Sequence, residues 1–228
     1  EGARPMALFV DCAYIEDVAS ICTTYPVTGV TTNPTILLAA RERGQALSDM
    51  EVLREALQVC SGPVFMQPMA DDADELRAMA ERYIEAAPER VVPKLPLNEP
   101  GLRAGIALNH GGARVSFTAV YTLAQTYCGI QLPADWIIPY MSRLRRAGTD
   151  PLTRIGEMAQ MLAKQHVPTR ILAASVKTPA DIVDATLAGA HDITAQPEVI
   201  RGLTQDSLSA AAFEQFAADW RRVQGQAE

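Results

Sequence analysis

The chain has 228 residues, 48% of them hydrophobic, enough to bury one large core. Its formal net charge is −7 and its pI about 5.1. With no basic run of five or more and no 18-residue apolar span, neither nucleic acid nor a membrane is expected as partner, although the cluster Arg143, Arg145 and Arg146 suits one small anion.

Short apolar segments alternate with longer amphipathic ones along the chain. The opening Glu1-Gly2-Ala3-Arg4-Pro5 differs in character from the apolar strand after it, and Met6 is expected to be the natural start. A strand over 7–11 is followed by a helix over 15–24. Strand 29–32 is followed by helix 47–60, strand 64–67 by helix 73–86, strand 91–95 by helix 100–110, and strand 115–118 by helix 122–131. Strand 136–139 then precedes helix 151–164, strand 171–174 precedes helix 179–188, and strand 192–194 is the eighth. In the third of these helices Leu76, Met79, Ala80, Tyr83 and Ile84 share one face, and in the sixth Ile155, Met158, Ala159 and Leu162 do. An extra helix over 207–223 carries Leu208, Ala211, Ala212, Phe213, Phe216 and Trp220 on a helical repeat. So aromatic a face must pack on its own barrel or on a neighbouring subunit.

Eight strands separated by helices, with no Gly/Ser-rich linker, predict an α/β fold: one (β/α)8 barrel domain over the whole chain plus the C-terminal helix. An open doubly wound sheet is the alternative. No strand is followed by a GxGxxG loop, which counts against its dinucleotide-binding version. The cysteines Cys12, Cys22, Cys60 and Cys128 form no CxxC pair and are expected to be buried free thiols of a cytoplasmic protein. His110, His166 and His191 are scattered, and no metal site is expected.

Lys94 is one of only three lysines and lies within the apolar run Val91-Val92-Pro93-Lys94-Leu95-Pro96-Leu97. A buried ammonium is costly unless it is paired or deprotonated, and deprotonation makes the amine a nucleophile. The plain alternative is a lysine that snorkels to water from a strand end. In a (β/α)8 barrel the active site lies at the carboxyl ends of the strands. Those ends carry Asp11, Thr31-Thr32-Asn33, Gln67, Lys94, Thr118, Tyr140 with Ser142 and Arg143, and Ser175 with Lys177. Chemistry suggests roles. Lys94 attacks a ketone and becomes an iminium, an electron sink for carbon–carbon cleavage. Asp11 binds hydroxyls or shuttles a proton. Tyr140 acts as acid/base, alone or through a water held by Gln67 and Thr118. Arg143, Ser175 and Lys177 are candidates to hold a phosphate. Each has a structural alternative: Asp11 and Asn33 as turn or capping residues, Tyr140 as a packed aromatic, Arg143 as a solvated side chain.

The same residues carry a resemblance. Phe9-Val10-Asp11, Gly29-Val30-Thr31-Thr32-Asn33-Pro34-Thr35, Lys94-Leu95-Pro96, Pro139-Tyr140-Met141-Ser142-Arg143 and Ala173-Ala174-Ser175-Val176-Lys177-Thr178-Pro179 resemble signature segments of the small transaldolases and fructose-6-phosphate aldolases. The closing segment from Phe213 to Trp220 resembles the family's last helix. The resemblance implies a Schiff-base lysine at Lys94, with Asp11, Thr32 and Asn33 toward substrate hydroxyls. It implies a phosphate site at Arg143 and Ser175 with Lys177, no metal or organic cofactor, and a homo-oligomer, pentamer or decamer, in which the last helix packs on a neighbour. Gln67 and Tyr140 match the aldolase branch, whereas transaldolases resemble one another in carrying Glu and Phe there. The expectation is therefore a class I aldolase cleaving fructose 6-phosphate or a related sugar. A transaldolase moving a dihydroxyacetone unit to an aldehyde is the alternative, and a non-catalytic sugar-phosphate-binding barrel is a further one. Departures are Pro93 before the lysine, Pro68, Ser142, and Ala195-Gln196-Pro197. Pro93 is expected to remove a strand donor and tilt Lys94.

Overall fold

The computed structural model describes residues 5–225; of the opening segment, residues 1–4 lie outside the described residues. Its strands are β1 (Ala7–Asp11), β2 (Gly29–Thr31), β3 (Val64–Met66), β4 (Val91–Pro96), β5 (Ser116–Thr118), β6 (Trp136–Ile138), β7 (Arg170–Val176) and β8 (Asp192–Ala195). They pair in chain order, all parallel, and β8 returns to β1, so the barrel is closed. Closure removes the open-sheet alternative.

The helices are α1 (Ile15–Thr24), α2 (Pro34–Glu42), α3 (Asp49–Val59), α4 (Ala73–Ala86), α5 (Glu99–His110), α6 (Leu123–Gln131), α7 (Met141–Arg146), α8 (Pro151–Gln165), α9 (Pro179–Leu187), α10 (Pro197–Gly202) and α11 (Ser207–Val223). Three of them are absent from the sequence expectation: α2, α7 and α10. The last two have six residues each, too few for a 3.6-residue period to show. In α2 only Ala40 is buried and Leu38 is exposed, so the apolar stripe is missing. Its start is nevertheless encoded locally: Asn33 Oδ1 accepts from Ile36 N (3.1 Å) and Pro34 opens the first turn.

Alternate strand residues face the barrel axis. Phe9, Phe65, Val92, Trp136, Ile138, Leu172 and their neighbours fill it, with Phe65 edge-on to both Phe9 and Trp136 at centroid separations of 5.3 and 5.0 Å. Gly29 has to lack a side chain: a Cβ there would lie 2.2 Å from Pro63 O and 2.9 Å from the Phe9 ring. The other strand faces pack against the helices in a second, larger core. Leu76, Ala80 and Tyr83 of α4 and Ile155, Met158 and Leu162 of α8 are buried in it, as their spacing predicts.

At the amino end of the barrel, Asp192 is buried. Its carboxylate accepts from Arg170 Nε (2.6 Å) and Nη2 (2.7 Å), Trp136 Nε1 (2.8 Å) and Ala7 N (2.9 Å). A buried charge so fully bonded leaves neither of its oxygens free at that end, and the open cavity lies instead at the carboxyl ends of the strands. α11 contributes nothing to either core. It has no buried residue, and Leu208, Phe213, Phe216, Trp220 and Val223 are all exposed. Its own barrel is therefore not what covers it.

Candidate active site

β4 runs unbroken through Pro93, whose carbonyl accepts from Ser116 Oγ (2.9 Å), so the proline does not interrupt the strand. Lys94 comes next, faces inward and is 1% exposed. Among the described residues its hydrogen bond goes to Thr32 O (3.0 Å) rather than to a carboxylate. The amine is therefore sequestered but only lightly bonded, and it forms part of the wall of a cavity of about 570 Å³ at the carboxyl ends of the strands.

Asp11, the last residue of β1, lines the same cavity. Thr31 Oγ1 lies 2.6 Å from both Asp11 Oδ1 and Thr194 Oγ1, so three strand ends share one hydroxyl relay. Burial raises the Asp11 pKa above the ordinary carboxylate value, opposed by the charge of Lys94, the Thr31 hydrogen bond and the charge of Lys177. A carboxyl so poised can carry a proton as well as accept a hydroxyl.

On the facing wall Tyr140 Oη and Thr118 Oγ1 are 2.8 Å apart and both side chains are buried. Thr118 reaches the cavity through Tyr140. The Tyr140 ring is edge-on to Tyr121, with the Arg143 guanidinium 4.8 Å from its centroid. β6 ends at Ile138, and Tyr140 then caps α7 while bridging to Ala174; this places its side chain in the cavity wall and presents Ser142 and Arg143 from the first turn of the helix. Ser142 Oγ and Ser175 Oγ are 2.5 Å apart. Ser175 takes a left-handed backbone (φ 58°), which ends the regular pleat of β7 beside the cavity.

The cationic side of the cavity is formed by Arg143, Arg146 and Lys177. Lys177 Nζ donates to Gln196 Oε1 (3.2 Å), while neighbouring Arg145 is paired with Asp181 (2.9 Å). The sequence-predicted residues Lys94, Asp11, Asn33, Tyr140, Arg143, Ser175 and Lys177 are thus brought together around one cavity. Asn33 serves two ends at once. Its Oδ1 caps α2, which leaves the amide nitrogen available to a ligand.

Two residues depart from expectation. Thr32 does not line the cavity with its side chain. Its hydroxyl donates to Phe65 O (2.9 Å) and approaches Met66 Sδ (3.3 Å), and only its carbonyl reaches the site, through Lys94. The reason is strand parity: Thr31 and Thr32 cannot both face inward, and Thr31 does. Gln67 lies outside the cavity wall, with Nε2 near Met69 Sδ (3.4 Å) and Oε1 buried without a partner among the described residues. Sequence reasoning also passes over Thr194 and gives Gln196 no site role. The period-two pattern through Asp192, Thr194 and Gln196 is the available signal, since it points all three toward the axis.

Of the four cysteines, all are unpaired, but only Cys12 and Cys60 are buried; Cys22 and Cys128 are partly exposed. Among the described residues no three His, Cys, Asp or Glu side chains converge as a metal ligand set, and no helix is long and apolar enough to cross a membrane.

Comparison with known proteins agrees with this geometry. A family model described as Transaldolase/Fructose-6-phosphate aldolase matches residues 8–227. A protein of Symbiobacterium thermophilum named "Probable transaldolase" is 32% identical over 220 residues, 96% of this chain and 99% of its own length. One of the same name from Cereibacter sphaeroides is 33% identical over 218 residues, 96% of this chain and 97% of its own length. Among solved structures, inosine 5′-monophosphate dehydrogenase from Legionella pneumophila is similar with a TM-score of 0.60 at 16% identity. That likeness covers 85% of this chain and 58% of the dehydrogenase and concerns the fold alone. With a lysine on strand four inside a closed parallel barrel and the family model matched over nearly the full chain, the protein belongs to the transaldolase/fructose-6-phosphate aldolase family.

Proposed function

We propose that the chain is a class I aldolase that cleaves fructose 6-phosphate, or a related sugar phosphate, to a dihydroxyacetone-type ketone and an aldehyde. The observation that carries this reading is Lys94, buried in the cavity wall and bonded to a carbonyl rather than to an acid. Its amine adds to the C2 carbonyl, and loss of water gives the iminium. The C3–C4 bond then breaks, its electron pair moving into the iminium to form an enamine, while the C4 hydroxyl gives up its proton and leaves as the aldehyde. Tyr140 Oη, coupled to Thr118, takes that proton and returns it to the enamine carbon. Water then releases the ketone and frees Lys94. Gln67 lies outside the cavity wall with its amide on Met69, so it can hold a water for this last step only by turning toward the cavity. Asp11 and Asn33 hold the substrate hydroxyls, and Arg143, Ser175 and Lys177 hold the phosphate. No metal or organic cofactor takes part in this scheme, since the lysine itself is the electron sink.

Transfer of the same enamine to a second aldehyde is the second reading, favoured by the names of the relatives. The phenol of Tyr140 favours release over transfer, because it supplies a proton to the enamine that a Phe at this position could not. Two measurements test the scheme. Borohydride with dihydroxyacetone is expected to leave a reduced adduct on Lys94, and its absence would refute the Schiff base. Fructose 6-phosphate without an acceptor is expected to yield free dihydroxyacetone, and its failure to appear while transfer proceeds would assign the chain to the transferases. We place this activity in the cytoplasm and in a homo-oligomer, with the exposed face of α11 as the support for assembly.

A further inference from the structure

Thr194 is a buried hydroxyl that the proposed reaction does not use. It stands beside Phe9 in the register of β8 with β1, one inward step deeper than Asp11. Thr31 stands beside Asp11 in the register of β1 with β2. Neither threonine lines the reaction cavity, so neither can touch a substrate held there. The hydrogens along this line can be counted. Thr31 Oγ1 carries one, and it is donated to Asp11 Oδ1 (2.6 Å). The 2.6 Å contact between Thr31 Oγ1 and Thr194 Oγ1 must then use the hydrogen of Thr194. Among the described residues Thr194 Oγ1 has no other partner and Asp11 Oδ2 has none. Donation therefore runs from Thr194 to Thr31 to Asp11 Oδ1, and Oδ2 is the oxygen left to the cavity that Asp11 lines.

We infer that Thr194 is a positioning residue for Asp11: its hydrogen bond fixes Thr31 as the donor to Asp11 Oδ1 and so leaves Oδ2 to carry the proton exchanged with a substrate. The inference deepens the aldolase reading and rests on the acid/base part which that reading gives Asp11. The opposite direction of donation is disfavoured. Were Thr31 to give its hydrogen to Thr194, the Thr194 hydrogen would be buried without an acceptor among the described residues, and an unpaired buried donor is costly. A hydroxyl that accepts a hydrogen bond also becomes the better donor, so Thr194 strengthens the bond from Thr31 to Asp11. It thereby supports the ionised carboxylate without touching it. Other groups act on Asp11 as well. Burial raises its pKa, and the charge of Lys94, the Thr31 hydrogen bond and the charge of Lys177 lower it. Tyr140, Arg143, Arg145 and Arg146 line the same cavity. Cys12, Tyr14, Asp17, Arg43 and Glu198 line a smaller one of about 110 Å³ that Asp11 also borders. Substitution at Thr194 leaves all of these in place, so a change in how Asp11 titrates reports on the relay.

The experiment compares the full chain as parent, Thr194→Val, Thr194→Ser, Asp11→Asn and the double variant of Asp11→Asn with Thr194→Val. Valine keeps the branched shape without the hydroxyl, and serine keeps the hydroxyl. Thermal melts are recorded from about pH 4 to about pH 8. Loss of the Thr194 donor raises the Asp11 pKa further, and a raised folded-state pKa removes stability as pH rises. The deficit of Thr194→Val against the parent is therefore expected to grow with pH, by about 2–4 °C across the range. In the Asp11→Asn background the same substitution is expected to cost the same at every pH, and Thr194→Ser is expected to melt like the parent. The rate of borohydride trapping with dihydroxyacetone is the second readout. The limb of its pH profile that Asp11→Asn removes is expected to move to higher pH in Thr194→Val, with a rate change of about threefold to tenfold on that limb, and to return in Thr194→Ser. A deficit that does not vary with pH, or one that varies equally in the Asp11→Asn background, would overturn the inference and make Thr194 a packing residue only. Absence of trapping in the parent would refute the aldolase reading, while melts as expected would still uphold the hold of Thr194 on Asp11.

Discussion

Tyr140→Phe is the sharpest test of the proton path, because it removes one oxygen and leaves the ring. The Tyr140 side chain is 8% exposed and packed edge-on to Tyr121, so the phenyl refills the same space and the cavity changes little. What is lost is the 2.8 Å hydrogen bond to Thr118 Oγ1. Thr118 is itself buried, so its hydroxyl is left without that partner, at a cost of about 1–3 kcal/mol. For a chain of this length each kcal/mol lowers Tm by about 2–4 °C, so a modest drop in Tm is expected. The catalytic effect is larger. Loss of a positioned acid/base slows proton transfer by about 10²–10⁴-fold. Lys94 is the nucleophile of Schiff-base formation, and Asp11 can carry the proton that the leaving hydroxyl needs, so borohydride trapping is expected to persist in the variant. The assay measures free dihydroxyacetone against product transferred to an added aldehyde, with parent and variant at equal adduct level. Release is expected to fall far more than transfer, because the enamine survives longer and meets the acceptor. Thr118→Val alone and combined with Tyr140→Phe completes the cycle, and the double variant is expected to lose little beyond Tyr140→Phe itself. An unchanged ratio of release to transfer in Tyr140→Phe would show that this hydroxyl does not move the proton.

Three other outcomes rest on the geometry. Asp11→Asn is expected to lose most activity yet gain thermal stability at neutral pH. Burial raises the native Asp11 pKa, so between the unfolded value near 3.8 and the native value the folded chain binds more protons, and stability falls as pH rises through that window. The gain in Asp11→Asn should therefore vanish below about pH 4, and a gain that persists there in thermal melts would contradict the assignment. Arg143→Ala is expected to raise KM about 10- to 100-fold for a phosphorylated substrate and much less for free dihydroxyacetone, which steady-state kinetics with both substrates checks. Phe216→Ser with Trp220→Ser is expected to shift sedimentation toward smaller species without loss of the fold by circular dichroism, since α11 buries no residue within its own chain; an unchanged sedimentation coefficient would remove α11 from the assembly contact.

The strand ends are legible because two rules act on them together. Parallel strands buried on both faces read as short apolar runs, and the mouth of a barrel is where polar residues interrupt them. Lys94, Asp11 and Tyr140 stand out on that basis alone. Which neighbour of a strand end faces inward is harder to read. Thr31-Thr32-Asn33 offers three hydroxyl or amide groups in a row, and only the alternation set by Gly29 decides that Thr31 takes the bond to Asp11 while Thr32 turns to Phe65 O. Gln67 stands out by type and strand position, but the contact of its amide with Met69 arises in the loop after β3, where no periodicity guides a reading.

The two ends of this barrel treat buried charge in opposite ways, and the contrast explains where chemistry can occur. At the amino end both oxygens of Asp192 are engaged, by Arg170, Trp136 and Ala7 N, so the charge is fixed and unreactive. At the carboxyl end the groups are left short of partners. Among the described residues Lys94 donates to one carbonyl, Asp11 is held by one hydroxyl and resists ionisation, and Gln67 Oε1 has no partner. Of the three non-glycine residues with left-handed backbone among the described residues, Ala119 directly succeeds Thr118 and Ser175 is at the site, while His166 caps α8 on the way into β7. A substrate with a carbonyl and hydroxyls would meet Lys94 and Asp11 together in the one cavity, whereas Gln67 stands outside its wall. The bonded carboxylate offers no free group to a ligand, whereas Lys94 and Asp11 at the other end remain available to one.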